Sequence, residues 1–279
     1  MKLAIVTGAQ GTLGTFFVKF FSDRGFQCIG ASRSQKRKLL KNEKFLQIGD
    51  ISDPDMHILI QNDIVNSISG IKDKLTDLWL VNNAAIQGEV GFSSDFNRSS
   101  YEKCMNANFY FPLCLQNLVM KHFASNLKIS ILNVVGGGAN DTFPFFSPYA
   151  ISKVALARLS EQIAVEWKSS GIKNMRIACC TPGFMSTGFH NKSIDGKENL
   201  PTVEGLMKQI KENTVANVPF NNFHNTLSTY IDNEIDIEGG LFHLKNDADE
   251  LRIYSRTKNK ELFKLRRVDN FNVFSGKSK

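Results

Sequence analysis

The stretch Thr7-Gly8-Ala9-Gln10-Gly11-Thr12-Leu13-Gly14 constrains this chain more than any other, because it stands between a strand-like run at 2–6 and an amphipathic helical run at 16–23. Glycines at 8, 11 and 14 permit a tight turn, a close approach of backbone to a ligand, and close packing of helix on strand. The helix start adds free N–H groups and the positive end of the dipole. Strand, glycine turn and helix in that order predict a seat for a dinucleotide pyrophosphate. A glycine-rich turn alone is a weak signal; its flanks carry the weight.

Short apolar runs then alternate with helical ones, as a parallel sheet covered on both faces requires. Strands are predicted at 26–31, 44–48, 77–81, 128–134, 175–180 and 239–244, and helices at 55–69, 99–124 and 149–169. Asp53 reads as a helix N-cap with Pro54 at the first helical position. The expected fold is α/β, a doubly wound, mainly parallel Rossmann-type sheet of about seven strands in a single domain. With 279 residues, 42% of them hydrophobic, the chain can bury the core this needs.

The second informative stretch is Ser147-Pro148-Tyr149-Ala150-Ile151-Ser152-Lys153, which opens a helix with a Tyr and a Lys four residues apart. That spacing puts both on one face. A phenol has a pKa near ~10 and is a poor proton carrier at neutral pH unless a neighbouring cation stabilises its anion. Lys153 is placed to be that cation. An ordinary exposed Tyr/Lys pair has the same spacing, and the glycine turn at the other end of the chain is what favours chemistry.

Four motifs occur in order: Thr7-Gly-Ala-x-Gly-x-x-Gly14, Asn82-Asn83-Ala84-Ala85, Tyr149-x-x-x-Lys153 and Pro182-Gly183-x-x-x-Thr187. With them the chain resembles the short-chain dehydrogenase/reductase family over at least residues 2–187. The resemblance implies hydride transfer between a nicotinamide cofactor and a carbonyl/alcohol substrate. Tyr149 would exchange the proton, Lys153 would lower the phenol pKa and bind the nicotinamide ribose, and Asn108, favoured over Asn106, would support Lys153 through a water. Cofactor contacts are implied at Gly8, Gln10, Gly11, Thr12, Leu13, Gly14, Asp50, Ile51, Asn83, Ala84, Ala85, Tyr149, Lys153, Pro182, Gly183, Met185 and Thr187. Residues 188–225, with short helical runs at 202–213 and 222–233, would form a substrate lid in a domain spanning 1–246. Phe189 and His190 are candidate substrate contacts there.

One departure stands out. Family members commonly carry a Ser thirteen or fourteen residues before the Tyr, and this chain has Val135 and Gly136. Losing one donor to a developing oxyanion typically costs ~10²–10³ in rate. A backbone N–H of the triple glycine 136–138, the hydroxyl of Thr142 or that of Ser147 are the open replacements. The departure also admits a different class of protein, one that binds the nucleotide without turnover as a sensor or scaffold.

The second strand ends in Ser32-Arg33, and no Asp or Glu stands between Gly25 and Lys41, while Lys36, Arg37 and Lys38 follow. An acidic residue there favours NAD and a basic one the 2′-phosphate of NADP. NADP(H) is therefore expected, with Ser32 and Arg33 as phosphate contacts, and NAD(H) is less favoured.

The net charge of +7 comes from dispersed basic residues and fits an anionic cofactor better than nucleic acid. Five cysteines show no metal-ligand spacing and read as reduced core residues. No apolar run approaches the ~20 residues that cross a bilayer, so no membrane role and a cytoplasmic location are expected. Family members pair the 99–124 and Tyr149 helices between subunits, which implies a homodimer or homotetramer. Residues 247–279 form a C-terminal extension that resembles the Leu-Arg-Arg tail of some bacterial members, suggesting a nucleotide-linked keto sugar of surface polysaccharide biosynthesis as substrate.

Overall fold

A computed structural model describes residues 1–123, 127–183, 185, 189, 194–197, 199–204, 220–258 and 263. In chain order the elements are β1 (Lys2–Thr7), α1 (Thr12–Asp23), β2 (Gln27–Ser32), β3 (Glu43–Gln47), α2 (Asp55–Ile68), β4 (Asp77–Asn82), α3 (Arg98–Met105) and α4 (Phe111–Phe123). They continue with β5 (Lys128–Val134), α5 (Ser147–Ser169), β6 (Met175–Thr181), α6 (Phe220–Asp232), β7 (Leu241–His243) and α7 (Ala248–Thr257).

The strands form one seven-stranded sheet in the order β3-β2-β1-β4-β5-β6-β7, and every pair is parallel. From β1 the chain winds outward through β2 and β3, then crosses back to place β4 on the other side of β1. That reversal opens a crevice at the carboxyl ends of β1 and β4, where open α/β sheets take their ligands.

All of β6 and all of β1 after Lys2 are buried, because helices cover both faces. Phe17, Phe20 and Phe21 of α1 pack with Trp79, Tyr230 and Phe242 on one face. Ile60 and Ile64 of α2, Phe111 and Leu115 of α4, and Trp167 of α5 fill the other. Each such side chain contributes roughly 1.5–3 kcal/mol by leaving water. The start of the C-terminal extension joins the first of these layers, through Leu251, Tyr254 and Phe263.

Several boundaries differ from expectation. Helix α1 begins at Thr12, inside the glycine turn, because Gly11 is extended and acts as the N-cap. Helix α2 starts at Asp55, with Pro54 already in helical geometry and Asp53 Oδ1 accepting from the Asp55 N–H at 3.0 Å. The long helix expected over 99–124 is α3 and α4 joined by a π-helical turn, Asn106–Tyr110. Such wide turns mark positions where side chains must be re-aimed. Most of 202–213 lies outside the described residues.

Candidate active site

The glycine turn explains its own composition. Gly8 has φ +65°, and a Cβ there would stand 2.9 Å from Asn83 Nδ2 and 3.0 Å from Ala84 Cα. A Cβ on Gly14 would press on the Gly8 carbonyl oxygen and lie 2.7 Å from its carbon. Gly11 is different: it is exposed, and its Cβ would meet only the Gly8 oxygen at 3.5 Å. The fold itself thus demands glycine at 8 and 14, while Gly11 keeps an outward approach open beside the first turn of α1. This is the cradle a pyrophosphate needs, with Thr12 exposed and Leu13 buried at its rim.

Across the crevice, β4 is strapped to β1. Thr7 Oγ1 accepts from the N–H of Asn83 and of Ala84, both at 3.0 Å, and Asn83 Nδ2 donates to the Thr7 carbonyl at 2.9 Å. Ala84 and Ala85 continue at half-buried positions. The Ile51 carbonyl is paired with the buried His57 ring at 2.9 Å, which fixes the turn carrying exposed Asp50. The Ser52 N–H holds the Asp50 carboxyl below its usual value against a smaller opposing effect of burial, helped by the Ser52 hydroxyl and by Arg33.

The basic run after β2 divides in two. Arg33, Lys36 and Lys38 are exposed. Arg37 turns inward, with both terminal nitrogens on the Glu43 carboxylate at 2.8 and 2.7 Å and Nε on Thr15 Oγ1 at 3.2 Å. Gln10 ties the run to the glycine turn, since its Oε1 accepts from the Lys36 and Arg37 N–H groups and its own N–H donates to Ser32 Oγ at 3.1 Å. Sequence reasoning counted Arg37 only as part of the basic run; the fold brings Glu43 beneath it, over the bare face of Gly30.

Tyr149 and Lys153 lie on one face of α5 at the carboxyl end of the sheet, 8% and 2% exposed. Lys153 Nζ donates to the Val134 carbonyl at 2.9 Å and stands 5.8 Å from the Tyr149 ring centroid. Burial pushes Lys153 down to about 8. The expectation that Lys153 lowers the phenol does not describe this geometry: burial, with a smaller effect of Cys104, raises Tyr149 above its ordinary value. The ammonium is turned toward a backbone carbonyl, and desolvation wins.

Of the two asparagines in the π turn, Asn108 reaches α5 and Asn106 does not. Asn108 Oδ1 accepts from the Ile86 N–H at 2.9 Å, and Nδ2 donates to the Ile86 carbonyl at 2.8 Å and to Ser152 Oγ at 3.0 Å. Asn106 Nδ2 donates to the Ser52 carbonyl at 3.1 Å. Asn108 thereby joins the loop after β4 to the helix that carries Tyr149 and Lys153.

The two positions where a Ser was expected are distinguished by the structure. Val135 is 1% exposed, packs with Leu156 and Leu241, and donates its N–H to the Cys180 carbonyl at 2.9 Å. Gly136 faces Tyr149. Of the possible replacements, the Ser147 hydroxyl is 3.1 Å from both Ser93 Oγ and Tyr101 Oη, while Thr142 is exposed.

Beneath the site lies a polar network that sequence reasoning missed. Asn133 Oδ1 accepts from Asn82 Nδ2 at 2.8 Å and Gln116 Nε2 at 3.0 Å, and Asn133 Nδ2 donates to Ser160 Oγ at 2.8 Å. All four residues are buried. Asn82 and Asn133 are register partners on β4 and β5, which no local pattern announces.

After β6, Pro182 and Gly183 turn the chain, Gly183 having φ +71°, and Met185 packs against the core layer that includes the α1 phenylalanines. Phe189 lies 6.1 Å from the Tyr149 ring. Thr187 and His190 fall outside the described residues.

Comparison with known proteins places this geometry. The profile of the family described as short chain dehydrogenase matches residues 2–198. The chain is 26% identical over 199 residues to dehydrogenase/reductase SDR family member 4 of Sus scrofa, covering 67% of each chain. It is 28% identical over 225 residues to 2-dehydro-3-deoxy-D-gluconate 5-dehydrogenase of Bacillus subtilis, covering 75% of this chain and 80% of that one. Among solved structures, an oxidoreductase of the short chain dehydrogenase/reductase family from Brucella ovis, in complex with a partially ordered NAD, is 25% identical with a TM-score of 0.56, covering 74% of this chain and 91% of that one. The 4-hydroxyisoleucine dehydrogenase complexed with NADH is 22% identical with a TM-score of 0.64, covering 87% and 96%, a likeness that bears on the fold alone.

Proposed function

Since the chain belongs to the short-chain dehydrogenase family of oxidoreductases, we propose that it transfers hydride between NADP(H) and a small-molecule carbonyl/alcohol pair, with Tyr149 exchanging the proton. One observation carries this: Tyr149 and Lys153 are buried on one helix face at the carboxyl end of the sheet that carries the glycine cradle. When bound, the cofactor supplies the hydride. In reduction the Tyr149 hydroxyl donates its proton to the substrate oxygen as the carbonyl carbon gains the hydride. Lys153, with Nζ 5.8 Å from the Tyr149 ring centroid, would stabilise the phenolate left behind and hold the ribose, and Asn108 keeps the Ile86 loop and α5 in register.

The preference for NADP(H) draws on Ser32 and exposed Arg33 and on the absence of an acidic residue at the end of β2. Gly8, Gln10, Gly11, Thr12, Leu13 and Gly14 would take the pyrophosphate side, Asp50 and Ile51 the adenine, and Asn83, Ala84, Ala85, Pro182, Gly183, Met185 and Thr187 the nicotinamide half. Arg33→Ala should weaken NADPH binding by roughly 10–100-fold with NADH affected far less. Equal losses for the two nucleotides would remove Arg33 from the phosphate site.

A nucleotide-linked keto sugar remains the proposed substrate class on the strength of the C-terminal resemblance; residues 265–267 lie outside the described residues. A homodimer or homotetramer and a cytoplasmic location belong to the same proposal. Among the described residues no helix is long and apolar enough to cross a membrane.

The deciding experiment is fluorescence titration with NADPH followed by its oxidation against ketones and keto sugars. Tyr149→Phe should abolish oxidation and leave binding intact; turnover retained in that variant would sink the mechanism. The rival reading, a nucleotide-binding sensor or scaffold, draws on the missing hydroxyl at Gly136 and would show as tight binding without turnover of any carbonyl.

A further inference from the structure

Resting on the hydride-transfer reading for its consequence but not for its geometry, we propose that Gly136 is a positioning residue for Tyr149. The bare backbone lets the phenol settle against the end of β5, in the volume a serine side chain would need, so that such a serine and Tyr149 in its present place exclude each other.

A Cβ on Gly136 would lie 2.5 Å from Tyr149 Oη, 2.9 Å from Cε1 and 3.1 Å from Cζ. Side-chain carbons do not approach that closely, so either the ring or β5 would have to give way. The ring is buried, with Phe189 6.1 Å from it. The next residue of α5 is seated in the same way, since a Cβ on Gly138 would lie 2.9 Å from Ala150 Cβ and 3.2 Å from its Cα. Two glycines, two residues apart, thus bring the first turn of α5 down onto the strand end, Tyr149 on one and Ala150 on the other.

Position 136 cannot escape by slipping register, because the Val135 side chain is locked in the core and its N–H is paired with Cys180. A hydroxyl returned to position 136 therefore displaces the phenol it would have assisted. The glycine at 136 is thus the condition for the present place of the phenol.

Gly136→Ala and Gly136→Ser, made in the full chain with Tyr149 intact and with Tyr149→Ala, test this. Beside the intact tyrosine, Gly136→Ala should lower the unfolding midpoint by roughly 4 °C or more. Beside Tyr149→Ala, which lacks all three of the close atoms, the drop should be less than half as large. Gly136→Ser should leave NADPH binding unchanged and slow NADPH oxidation by 1-phenyl-1,2-propanedione on the order of tenfold or more. Equal drops in both backgrounds would show that the phenol is not what a Cβ meets and would overturn the proposal, as would a Gly136→Ser variant that reduces the diketone faster than the parent. A parent chain that binds NADPH but reduces no carbonyl would end the hydride-transfer reading, and the melting comparison would still decide the place of Gly136.

Discussion

Lys153 donates to the Val134 carbonyl at 2.9 Å, so the cation beside Tyr149 is tethered to the last residue of β5. The bond keeps the ammonium in a dry place, and burial pushes its pKa down to about 8. The unfolded chain holds that proton up to ~10.4, so between the two values the folded state binds fewer protons and stability rises with pH. Below the folded value the penalty is present in full. Relative to Lys153→Met, the cofactor-free parent should gain on the order of 3 kcal/mol between about pH 7 and about pH 10. Urea unfolding at both ends reads this directly, and a constant difference would mean that the ammonium is not desolvated.

The glycines of the first turn should respond in opposite ways. Gly14→Ala forces a methyl onto the Gly8 carbonyl and should cost on the order of 3 kcal/mol in unfolding. Gly11 has φ −81°, which alanine adopts freely, so Gly11→Ala should leave stability unchanged or raise it by about 0.5 kcal/mol. Its methyl would stand in the cradle, and NADPH affinity should fall. Unchanged affinity would place the pyrophosphate elsewhere.

Asn133 is the hub of the buried amide network, with three partners on β4, α4 and α5. Asn133→Ala takes a partner from all three and should cost on the order of 4 kcal/mol, whereas Ser160→Ala, which also gives up the bond its hydroxyl donates to the Leu156 carbonyl, should cost about 1–2 kcal/mol. A double-mutant cycle between the two sites, followed by urea unfolding, should show the second change to cost less once the first is made.

Arg37 and Arg33 are four residues apart and should behave as different kinds of arginine. Removing Arg37 leaves the Glu43 carboxylate, whose side chain is 0% exposed, without its bidentate partner. Arg37→Ala should destabilise the chain by about 3 kcal/mol, and Arg33→Ala, at an exposed site, by less than about 0.5 kcal/mol. Calorimetric melting separates the two, and similar losses would contradict the inward turn of Arg37.

The sheet was legible in the sequence because each of its buried strands is a short apolar run bounded by turn residues, and the β1–turn–α1 unit because glycine is the one residue its contacts admit at 8 and 14. Tyr149 and Lys153 were legible through helical spacing, which converts sequence distance into a shared face. What escaped was whatever depends on two distant segments meeting. Glu43 became the partner of Arg37 only when β3 paired with β2, and Asn133 the partner of Asn82 only through the β4–β5 register. The choice between positions 135 and 136 likewise needed the alternation of β5 to be carried one residue past its end. The π turn left no mark either, since its residues satisfy a helical pattern on both sides.

That turn is there for one side chain. Between Asn106 and Tyr110 the helix holds one residue more than regular winding allows, which lets Asn108 meet Ile86 while Phe111 and Leu115 still enter the core. Deleting one residue there would restore regular winding with α3 and α4 keeping their faces, and only the side chains inside the turn would be re-aimed. Phe111 would stay in the core while Asn108 would leave Ile86, so the extra residue serves the amide and not the packing of the helix.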